Sequence, residues 1–176
     1  LLTGLKFSNV YSIGNASQTG VEEILEYMDT TFIYGKSPTI KLLYLEHIKN
    51  PFKFIKHATS LRQKGCRIAA IKSGYSEAGG RAASSHTGAL ATSDTVIRAL
   101  FKKCGIVYCS SRDELIAVAS VFQTKELKGK NIAIITHAGG SAVMLTDALT
   151  SNGMNVPPLS ANDTKELLGK LNPGSS

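Results

Sequence analysis

KSGYSEAGGRAASSHTGAL, residues 72–90, follows directly on the apolar run Arg67–Ile71 (RIAAI) and decides how the rest of the chain is read. It holds four glycines, four serines and a histidine, with no aliphatic residue larger than Ala before Leu90. Such a stretch is too polar for a core. Glycine lets backbone approach a ligand closely, and Ser and Thr add hydroxyl donors. Between a strand and a helix, this composition predicts a surface loop that presents His86 at the carboxyl edge of a parallel sheet, where open α/β folds gather ligands.

Outward from that loop, strands and helices alternate. Upstream, Arg67–Lys72 (RIAAIK) and Ile40–Leu45 (IKLLYL) are short, mostly apolar runs of the kind buried in parallel sheets. Between them Pro51 suits the first turn of a helix that turns Phe54, Ala58 and Leu61 inward and ends at Gly65. Further back, Val21–Met28 has helical apolar spacing, and Asn9–Gly14 (NVYSIG) reads as a strand ending in the Gly14-Asn15 turn. Downstream, Ser93 caps a predicted helix with Val96, Ile97, Leu100, Phe101 and Cys104 inward, closed by Gly105. Ile106–Tyr108 is a short predicted strand, and Ser111–Glu114 is a capping box opening a helix with Leu115, Ile116, Ala119 and Phe122 inward. This alternation predicts an α/β fold with parallel strands.

Gln123–Lys130 is polar and interrupts the pattern. The expected organisation is a first domain over residues 1–123, a linker over 124–130 and the start of a second, truncated α/β unit over 131–176. That unit opens with a predicted strand, Asn131–Thr136 (NIAIIT), turns at Ala138-Gly139-Gly140 and continues as a helix from Ser141 to Gly153. A last helix begins near Ser160.

Composition narrows the function classes. At 43% hydrophobic and 19% charged residues, the 176-residue chain is an ordinary globular protein. No run approaches 18 apolar residues, and LLTGLKFSNV has no basic n-region, so neither a membrane span nor a signal peptide is expected. Three cysteines without metal-ligand spacing suit a reducing, cytoplasmic setting. The net charge of +7 suits an anionic small molecule or plain surface lysines; without a basic run interleaved with aromatics, nucleic acid is not expected.

Three features can carry chemistry. His86 fits a nucleophile, a general base or an exposed surface residue; a metal role is disfavoured because His47, His57 and His137 have no ligand spacing to it. No Gly-x-Ser-x-Gly elbow supports a serine hydrolase. Glu46, just past a predicted strand, is placed to accept one ring N–H of His86 and leave the other nitrogen free, or is a solvated loop acid. The turn at Gly139, Gly140 and Ser141 offers backbone N–H groups at a helix start to an anion, or is simply tight.

Together, FSNVYSIGN (7–15), LLYLEHI (42–48), IKSGYSEAGGRAASSHTGALATSD (71–94) and NIAIITHAGGSAV (131–143) resemble the alpha-type region of NDP-forming acyl-CoA synthetases, the ADP-forming acetate–CoA ligase family related to succinyl-CoA synthetase. The resemblance implies a flavodoxin-like parallel sheet with helices on both faces. It implies that His86 is phosphorylated, that Glu46 pairs with it, and that Ser85, Thr87, Gly88, Gly139, Gly140 and Ser141 bind phosphate. Gly14 and Asn15 are the candidate substrate-binding residues. The implied reaction joins a small carboxylic acid to CoA with ATP, giving acyl-CoA, ADP and phosphate through an acyl phosphate. CoA and ATP/ADP with Mg²⁺ are then substrates, and an ATP-grasp domain or subunit and a CoA-binding domain are partners. The chain is expected to begin after the family's first strand and phosphate-facing helix, and the fragment alone to be inactive. The turn Thr136-His137-Ala138 departs from the family's usual Asn before Ala. A regulatory or CoA- or nucleotide-binding module of an acetyltransferase-like protein is the alternative.

Overall fold

Three parallel strands carry the first half of the chain. The computed structural model describes residues 4–14, 18–74, 78–79 and 93–171. Strand β1 (Ile40–Leu45) pairs with β2 (Arg67–Lys72), and β2 with β3 (Val107–Cys109), in the order β1-β2-β3. Helices α1 (Val21–Thr30), α2 (Pro51–Gln63), α3 (Asp94–Cys104) and α4 (Arg112–Phe122) fill the intervals. The register pairs Leu43 with Ala70 and Leu45 with Lys72, so strand alternation puts these four side chains on one face. Leu43, Leu45 and Ala70 join Ile68, Phe54, Ala58, Leu61, Ile97, Leu100 and Phe101 in a single core, which α2 and α3 cover. Ala69, Ile71 and Cys109 turn to the opposite face, where α4 packs against all three strands. Removing a side chain such as Phe54 from water stabilises by about 1.5–3 kcal/mol, and Phe54 stacks on Phe101 at 6.1 Å between ring centres.

Local chemistry sets the element ends. The Asn50 side chain accepts from the Lys53 N–H ahead of Pro51, and Ser111 accepts from the Glu114 N–H. The Glu114 carboxylate reaches back to Ser110 rather than to Ser111, so the predicted capping box is shifted by one residue. Gly65 and Gly105 end α2 and α3 with φ of 87° and 67°, a region only glycine enters cheaply. In both, the next residue's N–H bonds back to the helix, Cys66 to Leu61 and Ile106 to Phe101. That closure uses Ile106, which is why β3 starts at Val107 and not at the predicted Ile106.

Two predicted strands are absent among the described residues. Residues 9–13 carry no strand pairing, and Val10 is 81% exposed. An extended segment becomes a strand only when a neighbour supplies its hydrogen bonds, and the pairing of β1 is to β2. Likewise Asn131–Thr136 contributes one bridge, Asn131 to Asn155, and Ile135 is 98% exposed. In α3, Val96 is 55% exposed and lies off the core-facing stripe that includes Ile97 and Phe101.

The chain divides between Lys125 and Glu126 into two compact units. The second holds α5 (Gly139–Ser151) and α6 (Ala161–Leu168), neither with a buried residue. Among the described residues no helix is long and apolar enough to cross a membrane.

Candidate functional site at the carboxyl edge of the sheet

Because the strands are parallel, Leu45 and Lys72 end β1 and β2 side by side, and Cys109 ends β3 on the same edge. Glu46 and Ser73 are the first residues past the two neighbouring strands. The Ser73 N–H bonds to the Leu45 carbonyl at 3.0 Å, carrying the ladder one residue further. The Gly/Ser stretch therefore starts one strand away from Glu46. Downstream of it Asp94 begins α3, and Ser93 takes the cap position without a side-chain cap bond.

Glu46 is exposed and lines an open cleft of about 1210 Å³ between residues 4–14 and β1. Gly14 lines the same cleft, as do Tyr11, Ser12, Tyr44 and His47. His86, Ser85, Thr87, Gly88 and Asn15 lie outside the described residues, and so does the Glu46–His86 distance. Among the described residues the buried His47 Nδ1 has no hydrogen-bond partner.

Gly139, Gly140 and Ser141 form the first turn of α5, after Ala138 in extended conformation. The helix starts two residues earlier than predicted because neither glycine leaves the negative-φ region. The N–H groups of such a first turn have no intrahelical acceptor, and a methyl group added at either glycine would meet nothing within 4 Å. An anion could approach there unhindered. His137 is exposed, and the turn is braced by the Ala138 N–H on Thr136 Oγ1 at 3.1 Å.

One charged residue at the edge escaped the sequence reading. Lys72 is 2% exposed, and its ammonium donates to the Ser73 carbonyl. Burial pushes its pKa down, while the nearby Asp94 and then Glu46 carboxylates pull it back up. Asp94 in turn accepts from Arg98 Nε at 2.6 Å and Tyr108 OH at 3.3 Å, with the guanidinium stacked 3.8 Å above the Tyr108 ring.

His57 Nδ1 lies 2.8 Å from the Asp29 carboxylate, inside a polar seam between α1 and α2. Cys66, Cys104 and Cys109 are buried, and burial raises each thiol's pKa. Among the described residues no cluster of His, Cys, Asp or Glu could hold a metal ion.

A parallel sheet with helices on both faces and connecting segments gathered at its carboxyl edge defines an open, doubly wound α/β protein. Residues 2–122 match the model of the succinyl-CoA ligase like flavodoxin domain, and the chain belongs to that family. It is 34% identical to the Pyrococcus furiosus acetate–CoA ligase [ADP-forming] II subunit alpha over 95% of its own length and 35% of the relative's. It is 35% identical to the acetate–CoA ligase [ADP-forming] of Methanocaldococcus jannaschii, covering 98% of this chain and 24% of that one. A solved structure of Ca. Korarchaeum cryptofilum dinucleotide forming acetyl-coenzyme A synthetase 1, in complex with phosphate and ADP, superposes with a TM-score of 0.77 at 27% identity, over 94% of this chain and 35% of that one. The chain thus spans about a quarter to a third of the length of these relatives.

Proposed function

We propose that this chain is the phosphohistidine-carrying region of an ADP-forming acid–CoA ligase, with His86 as the phosphoryl carrier and Glu46 as its orienting carboxylate. The observation that carries the reading is the place of Glu46 just past the end of the strand next to the one that feeds the Ser-His-Thr-Gly stretch, in a chain whose relatives include ADP-forming acetate–CoA ligases. A lone pair of the unprotonated imidazole nitrogen attacks the γ-phosphorus of ATP, the bond to the bridging oxygen breaks, and ADP leaves with that electron pair. Glu46 accepts the N–H on the other ring nitrogen and stabilises the positive charge that develops. A carboxylate substrate then attacks the phosphorus, the P–N bond breaks, and the ring regains its lone pair as the acyl phosphate leaves. Attack by the CoA thiolate on the acyl carbon releases phosphate and gives acyl-CoA. Mg²⁺ travels with the nucleotide.

Gly139, Gly140 and Ser141 bind phosphoryl oxygens through backbone N–H groups that do not themselves react, with Ser85, Thr87 and Gly88 as donors around His86. Gly14 and Asn15 contact substrate. The ATP-grasp and CoA-binding parts lie on the same chain or on a partner, and the region acts in the cytoplasm as residues 1–123, a linker over 124–130 and a second unit from 131.

The test is incubation of the full-length gene product, with any separate subunit that completes the ligase, with labelled ATP and Mg²⁺. Label should be lost in acid and kept in base, and His86→Ala should abolish both label and acyl-CoA synthesis. Label that survives acid, or that persists in His86→Ala, refutes the assignment.

A further inference from the structure

The open cleft in the first unit is bounded by two continuous stretches of backbone, every residue from 4 to 14 on one side and every residue from 37 to 47 on the other. The second stretch is β1 with its flanks, and β1 is an edge strand whose pairing is to β2. The Thr39 and Leu45 carbonyls accept from the Arg67 and Ser73 N–H groups, so the odd-numbered residues of this stretch bond towards β2. Alternation then turns the N–H and C=O groups of Ile40, Leu42 and Tyr44 into the cleft. Among the described residues no strand bonds to those groups, and residues 4–14 carry no strand pairing either. A row of unpaired groups along a sheet edge is a template for a further strand.

Size and lining select the occupant. A strand rises about 3.3 Å per residue, lies about 4.8 Å from its neighbours and about 10 Å from the next layer, so each of its residues fills about 160 Å³. The cleft of about 1210 Å³ therefore has room for one strand of about seven residues and not for two. Val21 and Met28 of α1 line it and pack on the core face of the sheet. Ala119 lines it from α4, which covers the opposite face. A strand seated there is covered on both sides, and such strands are apolar throughout rather than alternating.

We propose that the cleft is the seat of one further β-strand: an extended segment, apolar on both faces, from the same polypeptide outside residues 1–176. The relatives have chain to supply it, for the matched region is 35% of the Pyrococcus furiosus subunit and 24% of the Methanocaldococcus jannaschii protein. The segment pairs with Ile40, Leu42 and Tyr44 by strand addition and covers Tyr44 and Val10, which are 67% and 81% exposed without it. Because the cleft runs along β1 to Glu46 and His47, one end of the segment comes out at the carboxyl edge of the sheet. The candidate site is then completed by residues that these 176 do not contain, whatever chemistry it performs.

The test uses the full-length gene product, with any separate subunit that completes the ligase. Hydrogen exchange resolved to single amides compares Leu42 and Tyr44, whose N–H groups face the cleft, with Leu43, whose N–H faces β2. With the strand seated, Leu42 and Tyr44 should exchange within about 10-fold of Leu43 at every protein concentration. Faster exchange at either position overturns the proposal, and so does protection that is lost on dilution, which marks a second copy as the occupant. Tyr44→p-benzoylphenylalanine, in a mixture of light and heavy isotope-labelled protein, then identifies the neighbour. The main photolinked peptide should carry the same isotope and come from an apolar stretch outside residues 1–176. A main link to the other isotope, to a separate subunit or within residues 1–176 refutes the assignment.

Discussion

Replacing Asp29 with Asn tests the polar seam that fastens α1 to α2. The Asp29 carboxylate is 7% exposed and accepts from His57 Nδ1 at 2.8 Å, Ser60 Oγ at 2.7 Å and Lys64 Nζ at 2.7 Å. Burial alone would raise its pKa; the bonds from Lys64, Ser60 and His57 outweigh that, and the group sits below the ordinary carboxylate range. On the same seam Glu22, 2% exposed, accepts from the Asn50 N–H at 2.6 Å, four residues after Glu46. Hydrogen bonds to a charged group contribute about 1.5–3 kcal/mol each and are not additive. Breaking a buried pair costs about 3–5 kcal/mol. Lys64 is partly exposed, so the low end applies, about 3 kcal/mol.

The assay is hydrogen exchange of peptides covering α1 and α2 in the full-length protein. A loss of about 3 kcal/mol corresponds to roughly 100-fold faster exchange when opening of the seam limits it. The pH dependence has a definite sign. A depressed folded-state pKa stabilises above the unfolded value of about 3.9, and that stability is lost as pH falls through the folded value. The gap between wild type and Asp29→Asn should therefore persist from pH 7 to about 5 and narrow below about 4. As a control, Glu166→Gln removes the exposed Lys170 pair and should change little. Peptides of Asp29→Asn that exchange at the wild-type rate at pH 7 would refute the reasoning.

Glu46→Gln should slow histidine phosphorylation about 100-fold, as for a reacting group misplaced by about 1 Å, with melting unchanged because the side chain is exposed; quenched-flow labelling measures it, and a wild-type rate removes Glu46 from the mechanism. Gly105→Ala should cost about 1–2 kcal/mol in denaturant unfolding, since an L-residue resists φ near +67°, and its Cβ would lie 3.1 Å from Arg62 Nε; no change in the midpoint would mean the helix end relaxes freely. Cys66, Cys104 and Cys109, buried and with thiol pKa values raised by burial, should resist a thiol reagent in the native protein and react once it is denatured.

The sheet was legible because its signals are local. Ile40–Leu45 and Arg67–Lys72 stand in the structure with the bounds read from their apolar runs, and Pro51, Gly65 and Gly105 mark helix ends through φ preferences that act within a turn. Asn9–Gly14 and Asn131–Thr136 also carry strand-forming apolar residues, yet form no ladder among the described residues. A strand is a pairing, and apolar residues in sequence say nothing of whether a neighbour is there to pair. The shift of β3 by one residue has a comparable origin, because Ile106 serves both the end of α3 and the approach to the strand.

The site was legible to the extent that chemistry follows chain order. Parallel strands put Glu46 and Ser73 on one edge once the register is fixed, and that register follows from which face each strand buries. Lys72 was hidden by the same logic, for a charge at the end of an apolar run reads as the point where the strand meets water. In the structure it is buried, and its neighbours in space, Asp94 and Glu46, stand 22 and 26 residues away in sequence. No periodicity links positions so spaced. Only the folded sheet, which sets β2 between β1 and β3, brings the Lys72 ammonium within electrostatic reach of both carboxylates.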